Sequence, residues 1–169
     1  RIMSSILKVD QLQDSGGNNL VTSNGSGVIT SSAFGKVLQV VRNSSTTTVS
    51  TSSTNLSELI NASITPSSTS NKILILVNVM MQTTAGSNSY SGVTTIRGAF
   101  GSGTSLQEYY FGSASGGNSN ELYSINTIDE PSTTSSQQYT IAIRKSSSAT
   151  TSVSTDGGLY EIILMEIQG

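Results

Sequence analysis

The sequence has no cysteine, no histidine and no tryptophan. Without Cys or His there is no disulfide framework, no thiolate nucleophile, no zinc site of the usual ligands and no Ser-His-Asp triad. Charge is also scarce: charged residues fill 11% of the 169 positions, against about 25% in an ordinary soluble domain. Only 10 carboxylates remain for acid–base chemistry, and their spacing shows no pattern. The expectation is a protein that is not an enzyme and holds neither cofactor nor metal. The 8 Lys and Arg stand singly, apart from Arg144-Lys145, and the net charge is −2. Phosphate neutralisation needs a clustered basic face, so no nucleic-acid partner is expected. The longest apolar run, Lys72 to Met81, is broken by Asn78 and falls well short of the roughly 18 residues of a membrane span. No membrane insertion is expected. With only Pro66 and Pro131, the chain also lacks the proline of a mucin-like stalk.

What is present is hydroxyl and amide: 34 Ser, 21 Thr, 12 Asn and 16 Gly. Threonine favours strands, and Ser, Gly and Asn favour turns, so this composition suits a β-protein with polar connections. Helical signals are confined to Ser53–Asn61, where Leu56, Leu59 and Ile60 have helical spacing over a length that suits a single turn or a loop equally well. Strand signals recur at 36–42, 46–51, 59–65, 72–82, 93–100, 106–111, 122–128, 138–144 and 159–167. Two of these, 72–82 and 159–167, are apolar on both faces, and such a strand needs a cover on each side. Eight or nine strands joined by Gly/Ser/Asn loops predict an all-β fold, an antiparallel β-sandwich of jelly-roll type.

The first 35 residues differ. Ile6–Leu12 is followed by Asp14–Leu20, Val21–Gly25 and Ser26–Thr30, which read as strand fragments of two to four residues punctuated by Asn-Gly and Gly-Gly turns. Pieces this short bury too little surface alone. The expected organisation is a short intertwined β-rich stem, 1–35, before a sandwich head, 36–169. Copies of the chain would then cover Ile6, Val9, Leu20 and Val28 in the stem. They would also cover Leu74, Leu76, Met80, Ile163 and Met165 on the second faces of the two-sided strands.

Several ordered segments carry a resemblance: Ile6–Gln13, Gly17–Thr30, the head opening Gly35–Val41, Ile64–Val79, and the closing Tyr160–Ile167. Together they resemble the stem and head of tail-fibre proteins of marine bacteriophages, especially those infecting cyanobacteria. The resemblance implies a homotrimeric virion protein at the particle surface, tail or capsid, engaged in host attachment. It implies partners among other virion proteins, reached through the stem, and a host cell-surface glycan or protein. It supplies no catalytic residues. Such fibres usually carry a longer tail-binding domain and shaft, which keeps a capsid decoration protein or head fibre open as the alternative.

Candidate sites are few. Gly-Ser-Gly at 25–27 and 101–103 lacks the following Lys and helix start of a phosphate loop, and turn glycines are the simpler account. The adjacent pair Asp129-Glu130 offers oxygen ligands to calcium or a solvated loop before Pro131. Tyr139 and Tyr160 open apolar strands and belong to the core or its rim. Tyr90, Tyr109, Tyr110 and Tyr123 lie near polar loops and are the receptor-contact candidates, since a tyrosine offers a rigid face and a hydroxyl. The loops 83–92, 112–120 and 146–157 would form the contact surface.

Overall fold

A computed structural model describes residues 9, 11–23, 25–26, 29–30, 36–85, 89–113, 117–145, 150–153 and 157–169. Two compact units divide the chain, Arg1–Lys36 and Val37–Gly169.

The first unit is a three-stranded antiparallel sheet in the order β1 (Gln11–Gln13), β2 (Asn19–Ser23), β3 (Ile29–Thr30). Its β1–β2 turn is held by Asp14, whose Oδ1 accepts the backbone N–H of Gly16 at 2.8 Å and of Asn18 at 2.9 Å. Gly17 supplies the left-handed residue this turn requires, with φ of 80°. The bonds from Asn18 hold the Asp14 carboxyl below its ordinary range. Val9, Leu12 and Leu20 are exposed.

The second unit contains β4 (Val37–Ser45), β5 (Val49–Thr51), β6 (Ser57–Ile64), β7 (Lys72–Ala85), β8 (Ser89–Arg97), β9 (Thr104–Ser113), β10 (Gly117–Asp129), β11 (Gln137–Lys145), β12 (Thr150–Val153) and β13 (Tyr160–Ile167). The pairing is nested: β4 pairs β13, β5 pairs β12, β6 pairs β11, β7 pairs β10 and β8 pairs β9, all antiparallel. The second unit is thus one long hairpin, rolled up so that β7 also pairs β13 and β12, and β8 also pairs β11. That rolling is the jelly roll, and it gives two sheets: β4-β13-β7 with β10 on the far edge of β7 and the β5–β12 pair alongside, and β6-β11-β8-β9. Among the described residues there is no helix; of the helically spaced residues, Leu59 and Ile60 lie in β6 and Leu56 just before it.

Alternation decides what lies between the sheets. From β7 come Ile73, Ile75, Val77, Val79 and Met81, and from β13 Tyr160, Ile162 and Leu164. Facing them are Ile60, Ala62 and Ile64 of β6, Val93 of β8, and Tyr139, Ile141 and Ile143 of β11. The β8–β9 turn is set by glycine: Gly98 has φ of 107°, and a Cβ on Gly103 would stand 2.5 Å from the Arg97 carbonyl oxygen.

The segments expected to be long loops are shorter. Strands β7 and β8 extend to Ala85 and from Ser89, β9 and β10 to Ser113 and from Gly117, and β12 lies inside 146–157. Ser, Thr and Asn there continue the ladders because their partners across the hairpin are already in register; Thr83 and Thr84, for example, oppose Ser119 and Asn118.

Candidate functional site

Each sheet buries one face and turns the other outward, and the two outward faces differ. On the large sheet, residues opposite one another across strands form rows. One row reads Val40–Met165–Leu74–Ile128 across β4, β13, β7 and β10. It is apolar throughout and spans about 14 Å at the ordinary strand spacing. The next row, Arg42–Ile163–Leu76–Asn126, is apolar at its centre. Leu74, Leu76, Ile163 and Met165 are half-buried, whereas Val40 and Ile128 at the edges are 56% and 58% exposed.

Charged pairs bound this patch on two sides. Lys72 Nζ meets Glu130 Oε1 at 2.7 Å, and Arg42 Nε donates to Glu161 Oε2 at 2.7 Å. Asn78 Nδ2 adds a bond to Glu161 Oε1 at 3.0 Å. The Asn78 and Arg42 bonds hold the Glu161 carboxyl below its usual range. Beyond them lie Met80 and, opposite it on β10, Leu122, the latter 74% exposed. An apolar centre with a polar rim is the anatomy of a protein–protein interface.

The outward face of the second sheet is built from small residues in its middle: Gly92 and Thr94 on β8, and Thr140 and Ala142 on β11. Larger groups stand over them. In register with Gly92 are Tyr110 on β9 and Arg144 on β11; in register with Thr94 is Glu108. Arg144 Nη2 donates to Glu108 Oε1 at 2.6 Å and also to the Tyr110 hydroxyl, and its guanidinium lies 5.4 Å from the Tyr110 ring centroid. Thr94 Oγ1 donates to Glu108 Oε1 at 3.2 Å. A Cβ on Gly92 would stand 3.3 Å from Glu108 Oε1, 3.3 Å from Tyr110 Cε1 and 3.4 Å from Arg144 Cγ. Gly92 therefore lies buried under the packed side chains of Tyr110, Glu108 and Arg144, which leave no room for a side chain of its own.

Two buried carboxylates lie on the inward face of the large sheet, one on either side of Ile73. Glu166 Oε1 accepts from Ser67 N at 2.6 Å, Ser67 Oγ at 2.8 Å and Asn71 Nδ2 at 2.6 Å, and its Oε2 accepts from Gln39 Nε2 at 2.6 Å. Burial alone would raise its pKa; these donors outweigh it and bring the carboxyl down to about 2. Asp129 Oδ2 accepts from the buried Tyr139 hydroxyl at 2.8 Å, and Arg97 Nη1 lies 3.4 Å from its Oδ1. Burial and then the Asp129 bond push the Tyr139 phenol upward. Both carboxylates are saturated with internal partners and act as clamps, Glu166 fixing the 65–71 loop and Asp129 tying β10 to β11. The Asp129-Glu130 pair does not converge on a cation, because alternation sends Asp129 inward and Glu130 to Lys72. Among the described residues no three His, Cys, Asp or Glu side chains gather as metal ligands.

The candidate residues fall into place unevenly. Leu74, Leu76, Met80, Ile163 and Met165 share the outward face of the large sheet. Val9 and Leu20 are exposed in the first unit, and Ile6 and Val28 lie outside the described residues. Tyr110 packs over Gly92 beside Arg144. Tyr109, its neighbour on β9, points to the opposite side, is 39% exposed and accepts from Gln107 Nε2. Tyr123 sits inside β10, opposite Val79, and packs against the core. The Tyr90 side chain lies outside the described residues. Sequence reading missed Gly92, Thr94 and Glu108, and treated Arg144 only as half of a basic pair. Cross-strand register brings these four together across 52 residues of chain.

No family model matches the chain, and no curated protein does. Several solved structures show some likeness. Infectious bursal disease virus, Gx strain, gives 14% identity, 85% of this chain, 39% of that chain and a TM-score of 0.45. A viral particle of the same virus gives 12%, 86%, 38% and 0.46. Its VP2 subviral particle gives 10%, 86%, 43% and 0.42. The chain spans about two fifths of the length of these structures. Scores and identities this low assign neither fold nor function.

Proposed function

We propose that the chain is a structural protein of a bacteriophage virion, a homotrimeric tail fibre whose jelly-roll head meets the host surface. The observation that carries this is the outward face of the large sheet, apolar at its centre and rimmed by Lys72–Glu130 and Arg42–Glu161. In a lone chain such a face is an aggregation hazard, whereas a closed oligomer buries it. The ordered resemblance of stem and head to marine phage tail fibres supplies the virion, the threefold state and the adhesive role. Residues 1–36 would join the head to other virion proteins. No catalytic step belongs to this reading.

A capsid decoration protein or head fibre is the second reading, since an apolar face rimmed by charged pairs suits docking on a shell as well as closure of a trimer. Gold-labelled antibody on intact particles separates the two, since label on the tail supports the fibre and label on the shell supports decoration. Adhesion would rest on many weak polar contacts, so three linked heads should bind cells at least a hundredfold more tightly than one. The isolated trimer added to cyanobacterial cells tests this. Monomeric heads that bind equally well, or a steep loss of binding with salt, would overturn it.

A further inference from the structure

We infer that the outer edge of β10 pairs with the β4 edge of the next copy of the chain, an inference that rests on the trimer proposed above. A sheet edge offers its backbone donors and acceptors to any second strand, and folded proteins blunt such edges with bulges, charge, proline or brevity. Three of the four long edge strands of the head are blunted by a bulge. Shifts in pairing leave one extra residue in each: Leu38 in β4, Leu59 in β6 and Leu106 in β9. A further edge strand, β5, has only three residues. β10 is different. It runs 13 residues in unbroken register with β7 and contains neither Pro nor Lys. Among the described residues no strand pairs with its other side. Asn120, Leu122, Ser124, Asn126 and Ile128 are exposed along it.

Symmetry, direction, charge and dimensions all choose β4 as the partner. A threefold ring joins two different surfaces, so β10 does not meet another β10 within it. The bulge in β4 lies at its start, and 39–45 is regular. β4 runs parallel to β7, and β10 antiparallel to it. Rotation about an axis along the strands therefore sets β10 antiparallel to the neighbouring β4, the commoner and slightly more stable pairing. The charged side chains of β10 are acidic, Glu121 and Asp129, whereas that of β4 is basic, Arg42. Four strands with an ordinary spacing to the next copy make a side about 19 Å wide. In a triangle of such sides each sheet lies about 5–6 Å from the axis, close to half the distance at which two sheets pack. The Val40–Met165–Leu74–Ile128 rows of three copies then meet on the axis. Val40 and Ile128, the most exposed of the four, fall at the corners where one sheet runs on into the next.

The chain has no cysteine, so engineered thiols report without background. Arg42 and Asn126 end one row of the large sheet and stand about 14 Å apart within a chain at ordinary strand spacing. Across the paired edges they come within about 8 Å, the reach of direct and diagonal cross-strand neighbours. A bismaleimide of that span, applied to the full chain carrying Arg42→Cys and Asn126→Cys, should link copies into dimers and trimers on a denaturing gel. Neither single variant should link at all. Light scattering on the same samples separates this contact from the trimer itself. Trimers that do not cross-link overturn the edge contact and leave the trimer standing. A ladder running past three chains overturns the trimer and leaves the edge contact standing. Monomers overturn the trimer, and the edge contact with it. Linking by Asn126→Cys alone overturns the choice of β4. Hydrogen exchange on the unsubstituted chain keeps the test valid if the cysteine variants fail to assemble. Successive amides over 120–128 should all be protected in the trimer. Every second amide exchanging at least tenfold faster than its neighbours would overturn the pairing.

Discussion

The two outward faces of the sandwich follow the same alternation and leave opposite chemistry exposed. On the large sheet, β7 and β13 carry apolar residues at successive positions, so burying Ile73, Ile75 and Ile162 necessarily turns Leu74, Leu76 and Ile163 outward. On the second sheet, β8 and β11 place Gly92, Thr94, Thr140 and Ala142 between their apolar residues, and these small residues are themselves buried, with Glu108, Tyr110 and Arg144 packed over Gly92 and Glu108 bonded to Thr94. The lesson is one of side-chain size: two-sided apolar strands leave large apolar groups outward for another surface to cover, whereas small outward residues are covered within their own sheet.

The largest expected effect comes from charging the apolar face. If the proposed trimer closes on this face, Leu74→Asp with Met165→Asp should yield monomer at micromolar concentration, because an unpaired carboxylate in an apolar contact costs several kcal/mol. Light scattering reads the mass, and circular dichroism should show the sheets intact. A variant that stays trimeric would remove this face from the interface.

The next test uses neighbours on one strand in that monomeric background. Ile75→Ala, at a fully buried position, should lower unfolding free energy by about 2–5 kcal/mol in urea. Leu76→Ala, one residue on and facing outward, should cost well under half as much. Equal costs would mean that the outward face is already covered within one chain.

Acid gives the third. The Glu166 carboxyl is lowered in the folded state, from an ordinary 4.5 to about 2. Its contribution is therefore complete above about pH 4.5 and drains away as pH falls towards 2. A shift of this size corresponds to about 3 kcal/mol. Glu166→Gln should flatten that stretch of the stability profile, measured by urea unfolding between pH 2 and 5; an unchanged slope would assign the acid sensitivity elsewhere. The smallest effect belongs to Arg42→Ala, whose side chain is half exposed, and it should change head stability by no more than about 0.5 kcal/mol.

The strands of the head were legible because Ile, Val and Leu recur with period two, and the pair 72–82 and 159–167 announced the central strands outright. Glu166 was legible too, though overlooked: it continues the series Tyr160, Ile162, Leu164, and that parity alone sends it inward. Thr150–Val153 escaped because only Val153 in it is apolar, and its pairing with β5 and β7 decides its state. Tyr123 looked loop-borne because Ser and Asn surround it; its same-face partner Ile125 was the sign that it faces the core. The Glu108–Tyr110–Arg144 cluster over Gly92 had no signature along the chain, since these residues meet only through the registers of three strands.

The central claim is that the outward face of the large sheet is covered by copies of the same chain. Multi-angle light scattering on the purified native protein at micromolar concentration tests it most directly. A single species of three times the 17.6 kDa chain mass is the predicted result. A stable species of 17.6 kDa, with that face left in water, would contradict it.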